Sequence, residues 1–321
     1  MSRNLRAGEW VEVLSASEIL ATLDEHQALD GLPFMPEMLQ YCGKRFRVYK
    51  SAHKTCDTVS SYTIRTMKDA VHLEGLRCDG AAHGGCQALC LLFWKDTWLK
   101  RVPGAGAAPD SKAGSPNVAT ASLFEAARAP SSSNGDELYR CQATDLLKAT
   151  SGVRRRSRWN PAFYWKDLSS GNVRFPDLIR YGLLAALNAF VLRWFGWRYP
   201  HLEGKAGTTT PTAVLNLQPG EVVRVRSRDE IMQTLNTGLR NRGLSFDVEM
   251  APHSGGGYSV LQRVERIVDE KTGRMITMPN PCVILDGVAC SGNLSTCRMF
   301  CPRSIYPYWR EVWLKRVTDE T

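Results

Sequence analysis

Clusters of cysteine are the feature of this sequence best suited to chemistry. The chain of 321 residues holds ten Cys, and nine of them fall inside two similar stretches. In each stretch three Cys form a tight cluster, Cys-x7-Cys-x3-Cys in the first and Cys-x6-Cys-x3-Cys in the second, with a further Cys upstream. The candidate metal ligands are Cys56, Cys78, Cys86 and Cys90 in the first stretch and Cys282, Cys290, Cys297 and Cys301 in the second.

The spacing within these clusters favours metal ligation. A Cys-x3-Cys pair on a helical turn places both sulfurs on one face. The glycine-rich segment 79–85 allows the backbone to curl around an ion and to point amides at thiolates. Four thiolates suit tetrahedral zinc or an iron–sulfur cluster, although no Cys-x2-Cys pair is present. We therefore predict an iron–sulfur cluster or zinc in the N-terminal repeat.

Two other uses of cysteine remain open. Small buried Cys residues pack hydrophobic cores, and this is the favoured interpretation of Cys42 and Cys141. Disulfides are the third use, but the segment Met1–Arg6 has no apolar stretch typical of a secretory signal. We therefore expect a cytoplasmic protein, in which thiols stay reduced.

Histidines and carboxylates near the first cluster are the candidate catalytic groups. The second stretch has Ile284 in the place of His72 and no counterpart of His83, so we expect any chemistry in the first. A His or carboxylate beside a metal acts as a ligand or transfers a proton. The predicted catalytic residues are His83, His72 and Glu74. A lone His is also commonly a satisfied core or surface imidazole, which would leave a structural metal site.

Whether the protein is an enzyme stays open at this level. A catalytic metal would make it a redox or biosynthetic enzyme acting on an unknown small molecule. The common nucleotide-binding and hydrolase motifs are absent from the sequence, which disfavours those classes.

An internal repeat organises the chain. When the sequence is shifted by 212 positions, residues 8–48 align with 220–260 without a gap, and 16 of the 41 positions are identical. Each copy is long enough to fold as a domain. We predict an N-terminal repeat at 1–103, a flexible linker at 104–137, a helical insert at 138–212 and a C-terminal repeat at 213–321.

Short strands dominate the pattern within each copy. Residues 9–13 and 221–225 alternate apolar and polar side chains, as in half-buried strands. Ser15 with Glu18, and Ser227 with Glu230, fit the capping box of a short helix. Paired tryptophans, Trp94 and Trp98 and their counterparts Trp309 and Trp313, are expected in the cores. The fold class is α+β, mainly β, with two small barrels.

The opening Gly-Glu-x-Val-x-Val of each copy resembles SH3-like barrel domains. The Cys-Asp-Gly…His-Gly-Gly-Cys-Gln segment and the Tyr-Pro-Tyr-Trp-Arg-Glu tail resemble an uncharacterised bacterial Cys/His-rich family, which implies no activity. Cys-Asp-Gly-Ala-Ala-His is similar to the Cys-Asp-Gly-Ser-His string of one group of iron–sulfur proteins. One residue is inserted here and the upstream Cys-x-Cys is missing, so no ligand is assigned from it.

The insert carries two predicted helices, Leu138–Thr150 and Pro176–Trp197. The apolar centre of the second has twelve residues, whereas a membrane span needs about 20. We expect this helix to be buried between the repeats. The alternative is a peripheral membrane helix, with Arg180, Arg193 and Arg198 facing lipid headgroups.

The charge balance leaves a nucleic-acid partner as the competing function. The chain has 41 Lys and Arg against 32 Asp and Glu, for a net charge of +9. Basic patches and SH3-like barrels both occur in RNA-binding proteins. The candidate contacts are Arg154, Arg155, Arg156, Arg158 and Trp159, and Lys44, Arg45 and Arg47.

Overall fold

The computed structural model describes residues 4–61, 63–104, 118–129, 137–153 and 161–317. The fold is α+β and mainly β, with 27% of residues in strands and 22% in helices. The chain forms two compact units. The first contains the residues up to Asp177 together with Val268–Ile276 and Cys297–Arg303, and the second contains Leu178–Ile267, Thr277–Thr296 and the residues from Ser304 onward.

Twelve strands are described before residue 153. They are β1 (Trp10–Val13), β2 (Ala28–Leu29), β3 (Leu32–Pro33), β4 (Arg45–Ser51), β5 (Lys54–Cys56), β6 (Ile64–Thr66), β7 (Ala70–Arg77), β8 (Leu91–Lys95), β9 (Leu99–Val102), β10 (Arg128–Ala129), β11 (Leu138–Tyr139) and β12 (Ser151–Gly152). Five of them form an antiparallel sheet in the order β8-β7-β4-β1-β9.

Nine further strands are described after residue 220. They are β13 (Val222–Val225), β14 (Arg240–Asn241), β15 (Leu244–Ser245), β16 (Gly257–Arg263), β17 (Arg266–Val268), β18 (Met275–Thr277), β19 (Cys282–Leu285), β20 (Trp309–Arg310) and β21 (Leu314–Arg316). The second five-stranded sheet has the order β20-β19-β16-β13-β21.

The two sheets pair equivalent residues. Trp10 faces Arg47 in the first sheet, and Val222 faces Ser259, 212 positions later, in the second. Both sheets also carry a register shift in the equivalent place, at Val48 and at Val260. The strand order and register are therefore the same in the two sheets.

The helices described in the structure are few and mostly short. They are α1 (Ala16–Leu20), α2 (Val118–Ala126), α3 (Pro161–Ser169), α4 (Phe175–Phe195) and α5 (Arg228–Met232), with 3₁₀ turns at Pro36–Tyr41, Asp96–Trp98, Val248–His253 and Glu311–Trp313. Both predicted capping boxes are present, at the starts of α1 and α5. Helix α2 lies inside the segment predicted as a linker, of which residues 105–117 and 130–136 lie outside the described residues.

The cores contain the predicted tryptophans, all four fully buried. Trp98 Nε1 donates to Thr22 Oγ1 at 3.0 Å, and Trp313 Nε1 donates to Thr234 Oγ1 at 2.9 Å. A buried indole N–H usually has an acceptor, and in each core a Thr provides it for one of the two tryptophans.

Two helix predictions need correction. Residues 138–150 do not form a helix: Leu138 and Tyr139 form β11, which pairs with β10, and turns follow. Helix α4 forms almost as predicted but is not buried, since only 6% of the stretch Phe175–Leu192 is enclosed. That stretch is long and apolar enough to cross a membrane by length and composition. Leu183 and Trp194 on its outer face are each 67% exposed.

Candidate metal centre

A tight loop after β7 positions the first cysteine cluster. Gly80 has φ +75°, and a Cβ there would lie 2.0 Å from the carbonyl oxygen of Cys86, so no other residue fits. The amide of His83 donates to the Gly80 carbonyl at 3.1 Å, which folds the loop back on itself. The amide of Cys78 donates to the Cys90 carbonyl at 2.8 Å and closes the loop at its base.

The predicted helical turn at Cys86–Cys90 is wrong. Residues 86–90 have no regular structure, and Gly84, Gly85 and Leu89 have positive φ, which a right-handed helix does not allow. The two sulfurs are therefore not held together by helical spacing.

Three buried side chains meet at the mouth of this loop. The ligand atoms of Glu37, Cys78 and His83 all lie within 4.8 Å of one another, and Cys78 Sγ lies 3.2 Å from His83 Nε2. The 3₁₀ turn Pro36–Tyr41 supplies Glu37, while the loop supplies the other two. Among the described residues, this is the group of His, Cys, Asp and Glu spaced to hold a metal ion.

Three polar atoms of this cluster lack hydrogen-bond partners among the described residues. Neither carboxylate oxygen of Glu37 accepts a hydrogen bond of normal geometry from a described residue, although the Cys78 thiol lies beside them. His83 Nδ1 is also buried without a described partner. Buried polar groups left unpaired are costly, so the two unpaired oxygens of Glu37 beside Cys78 and His83 indicate a missing partner.

A small cavity of about 30 Å³ adjoins the cluster. A water needs roughly 10–15 Å³ on the same measure, so this space suits an ion with a water and no organic substrate. Besides the three clustered residues, its walls include Cys86, Cys90, Cys141, Glu270 and Arg303.

Burial disfavours charge at every titratable group of the cluster. It raises the pKa of the Glu37 carboxyl and of the Cys78 thiol, the latter further because Glu37 is adjacent. It lowers the pKa of His83, an effect that Asp79 opposes. A cation at the centre would reverse the first two shifts by stabilising carboxylate and thiolate.

The donor set matches zinc better than an iron–sulfur cluster. Zinc takes mixed Cys, His and carboxylate ligands, often three of them with one open position. With ordinary Zn–S and Zn–N bonds, a tetrahedral site separates sulfur and nitrogen by about 3.6 Å, close to the 3.2 Å seen here. Iron–sulfur clusters need four Cys, or two Cys with two His; this group has one Cys, and the other cysteines at the cavity wall, Cys86, Cys90 and Cys141, are not part of it.

The other predicted ligands lie in different surroundings. Cys86 Sγ accepts the amide of Val268 at 3.3 Å, at the wall of the cavity. Cys301 Sγ accepts the amide of Cys56 at 3.1 Å, so these two form a separate pair. Cys282 is buried in the second unit, where its thiol lies 3.5 Å from the Val264 carbonyl.

The cysteines of the second cluster are divided between the units. Cys290 belongs to the second unit, whereas Cys297 and Cys301 belong to the first. None of the ten cysteines, all within the described residues, forms a disulfide bond.

Of the three predicted catalytic residues, His83 alone borders the cavity. His72 is fully buried, with Nδ1 2.9 Å from the Leu92 carbonyl and the ring against Phe93. Glu74 is exposed, and its carboxylate lies 3.9 Å from Arg47.

Sequence reasoning missed Glu37. Its signal was present, because Glu37 is one of the 16 positions identical between the repeats. It lies about 40 residues before Cys78 in the chain, so only the fold brings the two together.

One of the two predicted basic patches lies in the described part of the chain, and two of its arginines contact groups of the protein itself. Arg45 forms an ion pair with Glu12 at 2.9 Å, and Arg47 donates to the Gly8 carbonyl at 3.1 Å. The patch at 154–159 lies outside the described residues.

Comparison of the chain with protein-family models, with curated proteins and with solved structures gives no match.

Proposed function

We propose that the protein binds a divalent metal ion, with zinc the best match, through Glu37, Cys78 and His83. The observation that carries the proposal is the convergence of three buried ligand groups, with neither carboxylate oxygen of Glu37 having a described hydrogen-bond partner. Without an ion, this arrangement would cost free energy, because each unpaired buried polar group costs about 1–3 kcal/mol.

The proposed role of the ion is to stabilise the first unit. The adjacent cavity has room for about one or two waters and none for an organic substrate. A redox or biosynthetic reaction on a larger molecule would need the loop to open. The cavity walls come from five separate stretches of the chain, including those of Val268 and Arg303, so an ion there would stiffen their packing.

We further propose that the two sheets are SH3-like barrels derived by duplication. The same strand order and equivalent registers support this. We also propose a cytoplasmic location, which would keep the ten cysteines reduced.

Metal analysis of the full-length protein, purified without chelators, tests the metal site. We expect close to one zinc per chain, lost in Cys78→Ser and in His83→Gln. Cys42→Ser is the matched control, because Cys42 is a partly buried thiol that does not line the cavity, and it should keep its metal.

Two results would contradict the proposal. Full zinc occupancy in Cys78→Ser would show that the ligands lie elsewhere. A brown protein with charge-transfer absorption in the visible region, lost in Cys86→Ser and Cys90→Ser, would instead support the iron–sulfur alternative.

The exposed helix α4 supports a second role, contact with a lipid bilayer. Its outward residues recur at helical spacing and are apolar: Ile179, Leu183, Leu187, Phe190 and Trp194. Surface helices of water-soluble proteins present the opposite pattern, with the polar face outward. An exposed apolar face of this length is typical of a membrane interaction site.

The flanks of α4 favour lipid over a protein partner. Exposed aromatic residues lie just before and after the outward face, as at membrane–water interfaces: Trp165, Phe175, Phe195, Trp197 and Tyr199. Between residues 154 and 198 the sequence has nine Lys or Arg and only Asp167 and Asp177 as acids. This positive charge complements anionic headgroups.

Chain connectivity argues against a helix that crosses the membrane. The first unit contains residues from both sides of α4 in sequence, as in the 3.1 Å contact between the Cys56 amide and Cys301 Sγ. A crossing helix would put these residues on opposite sides of the bilayer. We therefore propose that α4 lies in the plane of one leaflet.

Flotation with liposomes tests this role. The wild type should float with vesicles that contain anionic lipid, and the triple variant Leu183→Gln, Leu187→Gln, Phe190→Gln should bind at least about tenfold more weakly. Val214→Gln with Leu261→Gln is the control, because both residues are exposed and apolar but lie outside α4. Absence of flotation, or dimerisation through α4 without lipid, would overturn the proposal.

A further inference from the structure

The two units also differ in how they hold a second buried acid. In the second unit this acid is Glu311. This residue opens the 3₁₀ turn Glu311–Trp313 and is fully buried. Its carboxylate accepts the amides of Asn216 and Leu217 at 3.0 Å each, and the amide of Leu215. Arg263 Nη1 also donates to it at 3.0 Å. The second unit thus neutralises this acid with its own chain.

Asp96 is the counterpart of Glu311 in the first unit. It opens the equivalent 3₁₀ turn, Asp96–Trp98, ahead of the equivalent buried tryptophan. The residue equivalent to Arg263 is Ser51, since Ser51 pairs with Val71 and Arg263 pairs with Val283 in the two sheets. A short hydroxyl therefore stands where the second unit has a guanidinium.

The loss of the arginine leaves Asp96 incompletely satisfied. Its carboxylate keeps a hydrogen bond from the amide of Leu5, the counterpart of Leu217. Its Oδ1 is buried with no partner among the described residues, and the residue is only 5% exposed.

A cavity of the first unit lies beside Ser51, the residue in the place of Arg263. It has a volume of about 200 Å³ and is lined by Ser51, His53 and Asp96, among others. An engineered cavity of about 150 Å³ holds benzene, so this one has room for a small organic ion. It is separate from the metal centre, since no residue lines both cavities.

The charged groups at this cavity carry both signs. Asp69 and Asp96 are the acids, and Arg6 and Lys166 are the bases. Burial, and after it the negative charge of Asp69, raises the pKa of Asp96 to about 6. His53 also borders the cavity, and burial lowers its pKa despite the adjacent Asp167.

We propose that the first unit binds a small guanidinium compound at Asp96, which supplies from solution the group that Arg263 supplies in the second unit. The guanidinium donates N–H groups to Asp96 Oδ1 in a charge-assisted hydrogen bond. The basic side chains at the same cavity accommodate a carboxylate on the same molecule, so guanidino acids fit best.

Calorimetric titration of the full-length protein with methylguanidinium and with guanidinoacetate tests the inference. We expect saturable binding of both, weakened at least about tenfold in Asp96→Asn, because a hydrogen bond to a charged group contributes that much. Tetramethylammonium, a cation without N–H donors, should not bind. Equal binding of all three compounds, or no binding to the wild type, would overturn the inference.

Exchanging the two residues provides the sharper experiment. Ser51→Arg should fill the cavity with the arrangement of the second unit, raise the thermal midpoint and abolish methylguanidinium binding. Arg263→Ser should lower the midpoint, and millimolar methylguanidinium should restore it in part. If Ser51→Arg does not fold, the Asp96→Asn titration decides. Undiminished binding in a folded Ser51→Arg protein would refute the site.

Discussion

Glu37 and Glu249 stand at equivalent positions of the two repeats, and both are buried, but only Glu249 is held by neighbouring groups. Glu249 accepts the amides of Leu294 and Ser295 at 2.7 and 2.8 Å and the hydroxyl of Ser291 at 2.7 Å. Glu37 has the Cys78 thiol beside it and unpaired oxygens.

The difference comes from the loop that follows β7 in the first repeat and β19 in the second. In the second repeat, residues 291–295 turn their backbone amides toward Glu249. In the first, the glycine-rich loop bonds to itself, as in the amide of Gly85 donating to Gly80, and leaves the carboxylate free. The same buried acid is thus a structural anchor in one repeat and a ligand candidate in the other.

Truncating the two acids should show the largest effect. Glu249→Ala leaves three or more buried donors without an acceptor and should cost about 4 kcal/mol of unfolding free energy. Glu37→Ala in metal-free protein should be neutral or stabilising, because it removes an unpaired buried carboxylate. Urea unfolding in the presence of a chelator measures both, and equal losses would refute the contrast.

Replacing His72 with the residue of the second repeat should change the response to acid. Burial lowers the pKa of His72 to about 3, so stability is lost as pH falls below the unfolded value of 6.5. Between pH 7 and pH 4 the wild type should lose about 3 kcal/mol that His72→Ile keeps. Parallel stability curves for the two proteins would show that His72 does not titrate between the states.

Asp96→Asn should act in the opposite direction. Because burial raises the pKa of Asp96 to about 6, the folded state favours the protonated acid, and stability falls as pH rises. Between pH 4 and pH 6 the wild type should lose about 2 kcal/mol relative to Asp96→Asn. The check is the unfolding free energy of each protein as a function of pH. The value for Asp96→Asn minus that for the wild type should increase as pH rises, and a decrease would contradict the prediction.

Removing the capping boxes should have the smallest effect on the free energy of unfolding, and the effect should be equal in the two repeats. Ser15→Ala and Ser227→Ala each remove a bond to the helix N-terminus and should cost about 1 kcal/mol. Chemical unfolding of the two variants measures this, and a difference of more than about 1 kcal/mol between them would show that the repeats are less alike locally than their cap geometry indicates.

Local patterns predicted much of the fold. The opening strands, both capping boxes and the buried tryptophans depend on spacing of a few residues, and each is confirmed. The helical turn at Cys86–Cys90 was wrong because Leu89 within it, and Gly84 and Gly85 just before it, have positive φ. The burial of α4 was wrong because coverage of an apolar face depends on the tertiary fold, which spacing does not encode.

The site was predicted in part. Cys78 and His83 follow from the cluster, but Glu37 comes from a distant turn and Cys141 from the insert. A ligand set assembled from such separate segments has no local signature.

The make-up of the first unit has a consequence for synthesis. The amide of Tyr139 donates to the carbonyl of Gly273 at 2.8 Å, and Arg303 Nη1 lies 3.4 Å from the Cys56 carbonyl. A ribosome must therefore translate past Arg303 before the first unit can close. Nascent chains released early, after the first repeat alone, would expose those unfilled contacts to chaperones and proteases.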